Sequence, residues 1–317
     1  MRFLPVIVLL GAQVAIGSSA LMARVALDNG MSPLSLAGWR LLIAALIVLA
    51  ARGARSVFRK QAKPSDTDGA EPMTAAEYAR LTLAGIGLAV HFLAWFASLT
   101  FIPVARSTLL VTTSPIWSGL AGALWLKQRP GPGFIGGLGL ACVGAWGVTL
   151  FGRPRPAAMA GASEGIGDAT MPVGDALALV GAVALAAYFL LVDGVQKRHG
   201  TERTVAITYT AAAATLWAAI PLLMEPAQIR PVNPPAWLAV LGMALLPQLI
   251  GHTSLNWCLL HFKVGVVGVA MLLEPVVAGI LAFFLLAEPV TAGQGAAAIV
   301  LLFGVALTLR SGDKAGT

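Results

Sequence analysis

The sequence predicts an all-α polytopic membrane protein: ten transmembrane helices in two five-helix repeats of inverted topology. Three observations lead there. The chain is 58% hydrophobic and 11% charged, against about 25% charged in soluble domains. Ten apolar runs of about the 20 residues that cross a bilayer as a helix follow one another along its 317 residues. The two halves also repeat their Gly and Pro positions at constant offsets.

The first run, 3–23, follows Met1-Arg2 and reaches Ser18-Ser19-Ala20, features of a signal peptide. Its length and the nine runs behind it make it the first span. The second, 33–51, carries Trp39-Arg40, and the third, 79–101, carries His91 and Trp95. The fourth, 104–126, holds Ser114-Pro115, and the fifth, 132–151, is spaced with Gly133, Gly137, Gly144 and Gly147. The sixth, 174–194, has Tyr188, and the seventh, 204–224, is plainly apolar. The eighth, 236–260, carries Gln248, His252 and Asn256. The ninth, 264–287, has Glu274-Pro275 near its middle, and the tenth is 292–310. All must be helical, because an open strand edge in lipid leaves backbone groups unpaired at several kcal/mol each.

The basic residues orient the spans. With the N-terminus inside, fifteen of the 21 Lys and Arg fall on the inner side. Five, Arg24, Arg106, Arg153, Arg155 and Arg230, fall outside, and Arg40 lies within a span. This bias predicts cytoplasmic termini. It also accounts for the net charge of +7 without a nucleic-acid partner. Cys142 and Cys258 both sit in apolar runs and read as core residues, neither a disulfide framework nor a metal cluster.

The repeat is visible in matched residues. Gly11 and Gly30 recur as Gly181 and Gly200, offset by 170. Pro115, Gly133 and Gly144 recur as Pro275, Gly293 and Gly304, offset by 160, and His91 falls one residue from the register of His252. Five spans is an odd number, so the second copy enters the membrane from the opposite side. That is an inverted repeat, with a site expected near the midplane between the halves. The expected units are a first repeat over 1–151 with a cytoplasmic loop at 52–78, a periplasmic linker at 152–173, a second repeat over 174–310 and a cytoplasmic tail at 311–317. Both connectors read as flexible.

In the stretch "LLEPVVAGILAFFLLAEPVTAGQ", small residues, a mid-helix Pro, Glu288-Pro289 at the span end and a Gly-spaced helix succeed one another. With the five-plus-five arrangement, this resembles the drug/metabolite transporter superfamily, specifically its EamA-type ten-span transporters, over nearly the whole chain. The first repeat departs from that pattern, with Lys127-Gln128-Arg129 where an acidic residue is usual. The resemblance implies a secondary transporter in a bacterial inner membrane, exporting a small amphipathic metabolite such as an amino acid or derivative. It implies alternating access at a cavity lined by spans 1, 3, 4, 6, 8 and 9, with no ATP site and no cofactor.

Ionisable groups at membrane depth cost about 2.5–3.5 kcal/mol on insertion scales and normally face a bundle interior or wet cavity. Glu274 is therefore the leading site residue. Pro275 lacks an N–H and clashes with the carbonyl four residues back, Met271, and a freed carbonyl is tolerated only beside protein or water. The carboxyl is a candidate to bind a proton or a substrate ammonium group; the alternative is a structural Glu bonded to a neighbouring helix. Ser114-Pro115 occupies the matched position with a neutral side chain, an asymmetry that suits a substrate with chemically different ends. Gln248, His252 and Asn256 are spaced i, i+4, i+8 along one helix face, lining a cavity or forming an interhelical polar seam. His91 and Trp95, also i, i+4, give the third span a similar face. His252 is a second candidate for proton coupling, exchange being the other mode. Arg40 either snorkels to the outer surface or holds a substrate carboxylate in a forked contact. Tyr188 is a candidate wall residue. Gly133 and Gly137 form a small-xxx-small step that packs either within the monomer or in a homodimer.

Other function classes fit less well. A rhomboid-like protease needs Gly-x-Ser-Gly, and "IWSG" at 116–119 lacks the first Gly; no His-Glu-x-x-His is present. A passive channel or membrane scaffold requires neither an inverted repeat nor a central carboxylate.

Overall fold

In the computed structural model, which describes residues 3–61, 72–124, 130–151, 171–223, 229, 233–286 and 290–312, each apolar run is helical. Four of the ten are not single helices. The first span is α1 (Leu4–Gly17) and α2 (Ser19–Asp28), divided at Ser18. The second is α3 (Pro33–Gln61) and the third is α4 (Ala75–Ser98). The fourth splits into α5 (Val104–Val111) and α6 (Ser114–Leu124), and the fifth is α7 (Pro132–Leu150). The sixth and seventh are α8 (Met171–His199) and α9 (Thr201–Leu223). The eighth runs as α10 (Pro234–Met243), a π-helical stretch (Ala244–His252) and α11 (Thr253–Cys258). The ninth splits into α12 (Val264–Met271) and α13 (Glu274–Leu286), and α14 (Ala292–Gly312) is the tenth. Nine stretches among the described residues are long and apolar enough to cross a membrane; the fourth span falls short as two helices of 8 and 11 residues.

Several boundaries differ from expectation: the first span runs to Asp28 rather than 23, and the sixth spans Met171–His199 rather than 174–194, taking in the last three residues of the linker expected at 152–173. α3 continues to Gln61 rather than ending at 51, because Ala51, Arg52, Ala54 and Arg55 favour helix and no proline intervenes before Pro64. The helical part of the loop expected at 52–78 resumes at Ala75, where Thr74 accepts a hydrogen bond from the Glu77 N–H and the Glu77 carboxylate takes the Thr74 N–H, a reciprocal cap. Residues 62–71, the linker 152–170, Lys127-Gln128-Arg129 and Glu288 lie outside the described residues.

The repeat is reproduced in backbone detail. The broken fourth and ninth spans interrupt at Thr112-Thr113 and Leu272-Leu273, positions 160 apart. Gly30 and Gly200 both close the first span of their repeat in the left-handed region, at φ 84° and 78°, where an L side chain is strained. Spans pair across the two halves. α7 packs along α14, α4 along α8, and α3 along α9, while the first span packs against the eighth. The fifth-span glycines belong to the first of these contacts. A Cβ on Gly137 would strike the backbone of Gly304 and Thr308, and one on Gly144 the backbone of Leu301. That small-residue face is therefore used inside the chain. Large apolar side chains such as Ile299, Phe284 and Phe303 point outward, as lipid permits.

Candidate functional site

The breaks in the fourth and ninth spans come from their prolines. Pro275 has no N–H for the Met271 carbonyl, and the chain turns tightly there: the Leu272 and Leu273 N–H groups bond to Val269 and Ala270. The Leu273 carbonyl then takes the N–H groups of Val276 and Val277 to start α13. Glu274 is thereby the first residue of a half-helix deep in the bundle, 5% exposed. Pro115 does the same for α6, with the Thr113 carbonyl taking the Ile116 N–H at 2.9 Å. Broken helices meeting near the midplane expose backbone groups only where protein or a cavity can satisfy them.

Such a cavity is present. Ile16 of the first span, His91 and Trp95 of the third, Val111 and Thr112 of the fourth, Leu185 of the sixth, His252 of the eighth, and Met271 and Glu274 of the ninth line it. All six spans implied by the sequence resemblance contribute. The space is about 10 Å³, room for about one water molecule, so admitting a metabolite requires these spans to part. One wall is aromatic: His91 stacks on Trp95 with centroids 6.1 Å apart and meets His252 edge to face with centroids 6.4 Å apart. His91 Nδ1 donates to the Gly181 carbonyl at 2.9 Å. Trp95 Nε1, His252 Nδ1 and Ser114 Oγ are buried without hydrogen-bond partners among the described residues.

Arg40 is not on that wall, and it does not snorkel. It is fully buried, with its Cζ 3.9 Å above the Phe92 ring. Nε donates to Gln248 Oε1 at 2.9 Å and Nη1 to Ser19 Oγ at 3.0 Å. Nη2 and the Gln248 Nε2 are left without acceptors. Phe92 in turn lies edge-on to His252, 5.2 Å away, so the guanidinium sits one ring behind the cavity. A cluster with donors to spare accommodates an acceptor or an anion, not a cation.

Asn256 and Tyr188 lie elsewhere, one helical turn from the cavity toward the N-terminal face. Tyr188 Oη donates to Asn256 Oδ1 at 3.0 Å, Asn256 Nδ2 donates to the His252 carbonyl at 2.9 Å, and Gln196 Nε2 donates to the Asn256 carbonyl. Of the sequence candidates, then, Glu274, His252, His91 and Trp95 share the cavity; Arg40 and Gln248 form a second cluster; Asn256 and Tyr188 a third. Ser114, Pro115 and Pro275 shape the breaks. The i, i+4, i+8 stripe stays buried along its length, but the π-helical stretch through Pro247 carries it: the Thr253 N–H reaches the Gln248 carbonyl five residues back. Such wide turns recur at functional sites. Thr112, Ser19, Gln196 and Tyr209, whose hydroxyl bonds to Thr253 Oγ1 at 3.1 Å, were not candidates from sequence. Each is a common uncharged polar residue, and what engages it, the cavity for Thr112 and a partner on another helix for the rest, is not written in the local sequence. Among the described residues, no three His, Cys, Asp or Glu come together in a group that could hold a metal ion.

Comparison with known proteins agrees with this architecture. A solved structure described as "Crystal structure of protein" superposes on 98% of this chain and 99% of its own, with a TM-score of 0.73 and 19% sequence identity, a likeness of fold. A comparison with curated proteins finds no match. The model of the EamA-like transporter family matches residues 3–150 and 172–310. Those two matches fall one on each inverted repeat and together take in nearly all of the chain, which belongs to the EamA-like transporter family.

Proposed function

We propose that this transporter exports a small amphipathic metabolite, an amino acid or derivative, by alternating access at the cavity between the repeats. The observation that carries the reading is Glu274: a carboxylate at the first turn of a broken half-helix, on a cavity walled by six spans. It receives the substrate's ammonium group or a coupling proton. His252 and the Trp95 face supply the remainder of the wall, and the spare donors of Arg40 and Gln248 are placed to receive an anionic end once the spans part. A bacterial inner membrane with both termini cytoplasmic is the setting the basic-residue bias favours.

The test is metabolite profiling of medium and cytosol from cells expressing wild type, Glu274→Gln and His252→Ala at equal membrane levels. A compound class that leaves the cells only with wild type supports both the transport and the site. A compound exported equally by all three removes Glu274 and His252 from the site. Unchanged profiles throughout exclude export of the compounds measured.

A further inference from the structure

Six spans wall the central cavity, and the contacts between those spans differ on its two sides. The third and sixth spans pack closely along each other, as do the first and eighth. Between those two pairs no comparably close helix packing is found among the described residues, and the sixth and eighth spans are joined by side-chain hydrogen bonds. On the N-terminal side that meeting consists of Tyr188 and Gln196 from α8 and Asn256 from α11, all fully buried, joined by the Tyr188 Oη and Gln196 Nε2 hydrogen bonds to Asn256. Tyr188 and Asn256 lie one turn beyond Leu185 and His252, the cavity residues of the same two spans, and Gln196 lies two further turns along α8. On the opposite side the first and third spans meet where Arg24 Nη1 donates to the Leu99 carbonyl at 3.2 Å.

We propose that Tyr188, Gln196 and Asn256 form the gate that seals the cavity from the N-terminal face, and that they act as a latch between two helix pairs and not as substrate ligands. The inference rests on the alternating-access reading above. Interdigitated helix faces resist sliding because every displacement costs packing; a few side-chain hydrogen bonds across a less closely packed seam break and re-form at small net cost. The seam is therefore where the two pairs separate. Asn256 is its hub, since its side-chain oxygen, its backbone carbonyl and its amide nitrogen are all engaged. Tyr188 Oη and Gln196 Nε2 are the bonds that must break.

The test uses the full chain in oriented vesicles, with Cys142→Ser and Cys258→Ala removing the native thiols and Thr112→Cys as a reporter on the cavity wall. A membrane-impermeant maleimide is added on one side at a time. Tyr188→Phe and Gln196→Met, made singly and checked for equal thermal stability, are expected to speed labelling from the N-terminal side by about tenfold, the size of one or two net hydrogen bonds, without speeding it from the other side. Arg24→Gln is expected to do the reverse. Equal acceleration from both sides, or no change in the ratio, overturns the gate while leaving alternating access intact. If the reporter in the ungated background reacts fast from both sides at once, the alternating-access reading itself fails, and the gate with it.

Discussion

The fourth and ninth spans have the same backbone and different chemistry. Both are short helices interrupted for two residues and restarted by a proline at positions 160 apart, Pro115 and Pro275. Yet the residue before the proline is Ser114 in one and Glu274 in the other, and only Glu274 reaches the cavity wall. The fourth span instead offers Thr112, two positions earlier. Duplication thus accounts for where these two helices break, because the matched prolines interrupt the backbone hydrogen bonding at equivalent positions whatever residue precedes them. The single carboxylate is a departure from symmetry laid over that scaffold, and it places charge on one side of a site whose frame is nearly two-fold.

The sharpest way to break this comparison is to exchange the two residues. Glu274→Ser is expected to lower transport about 10- to 100-fold, the loss of one hydrogen bond to a charged group. The double variant Ser114→Glu with Glu274→Ser is expected to stay as low, because Ser114 is 2% exposed and off the wall. Transport of the substrate that metabolite profiling identifies, at matched membrane levels, measures both. Recovery in the double variant would mean that the site reads its two halves interchangeably.

The same contrast shows what was legible in sequence. Spans, repeat and breaks were legible because lipid imposes simple demands: about 20 apolar residues per crossing and a reason for every proline. Gly30 and Gly200 were matched by spacing, and both hold the positive φ that explains the match. Glu274 stood out as a charge in an apolar run. The rest depends on neighbours distant in the chain. Arg40 looked able to reach the surface until Gln248, Ser19 and Phe92 closed around it. Asn256 shares a stripe with His252 but is turned to Tyr188, 68 residues away. The division of the first span at Ser18 has no proline to announce it.

A smaller effect separates two faces of one helix. On α7, Gly144 lies against the Leu301 backbone, whereas Gly139 has nothing within 4 Å. Gly144→Ala is expected to cost about 1–3 kcal/mol through overpacking against a backbone that cannot rotate away. Gly139→Ala is expected to stay within about 0.5 kcal/mol. Thermal unfolding in detergent distinguishes them. Equal costs would argue that the open face is also covered, by lipid held in place or by a second copy of the chain.

The smallest effects come from the ties at the two ends of the repeat, which again share position and differ in chemistry. On the N-terminal face, Glu77 in the first turn of α4 accepts from Arg198 Nη2 at 2.9 Å and His199 Nε2 at 3.0 Å. On the opposite face the equivalent place, where the eighth span begins, has Asn233 Nδ2 donating to Asn29 Oδ1 at 2.8 Å; Asn29 and His199 are 170 apart, the offset of the repeat. The charged tie is half solvated through Arg198, 59% exposed, so Glu77→Gln is expected to lower the unfolding temperature only slightly. Raising salt from about 0.05 to 0.5 M should shrink that shift, since the Debye length falls below the size of the cluster. Asn29→Ala, tested by the same unfolding measurement, is expected to cost about 0.5–1 kcal/mol and to be indifferent to salt, because a neutral amide pair has no ionic atmosphere to lose. A salt-sensitive Asn29 variant would place Arg24 and Asp28, an ion pair at 2.9 Å on the same helix end, inside that tie, and the two ends of the molecule would then be held by the same kind of force.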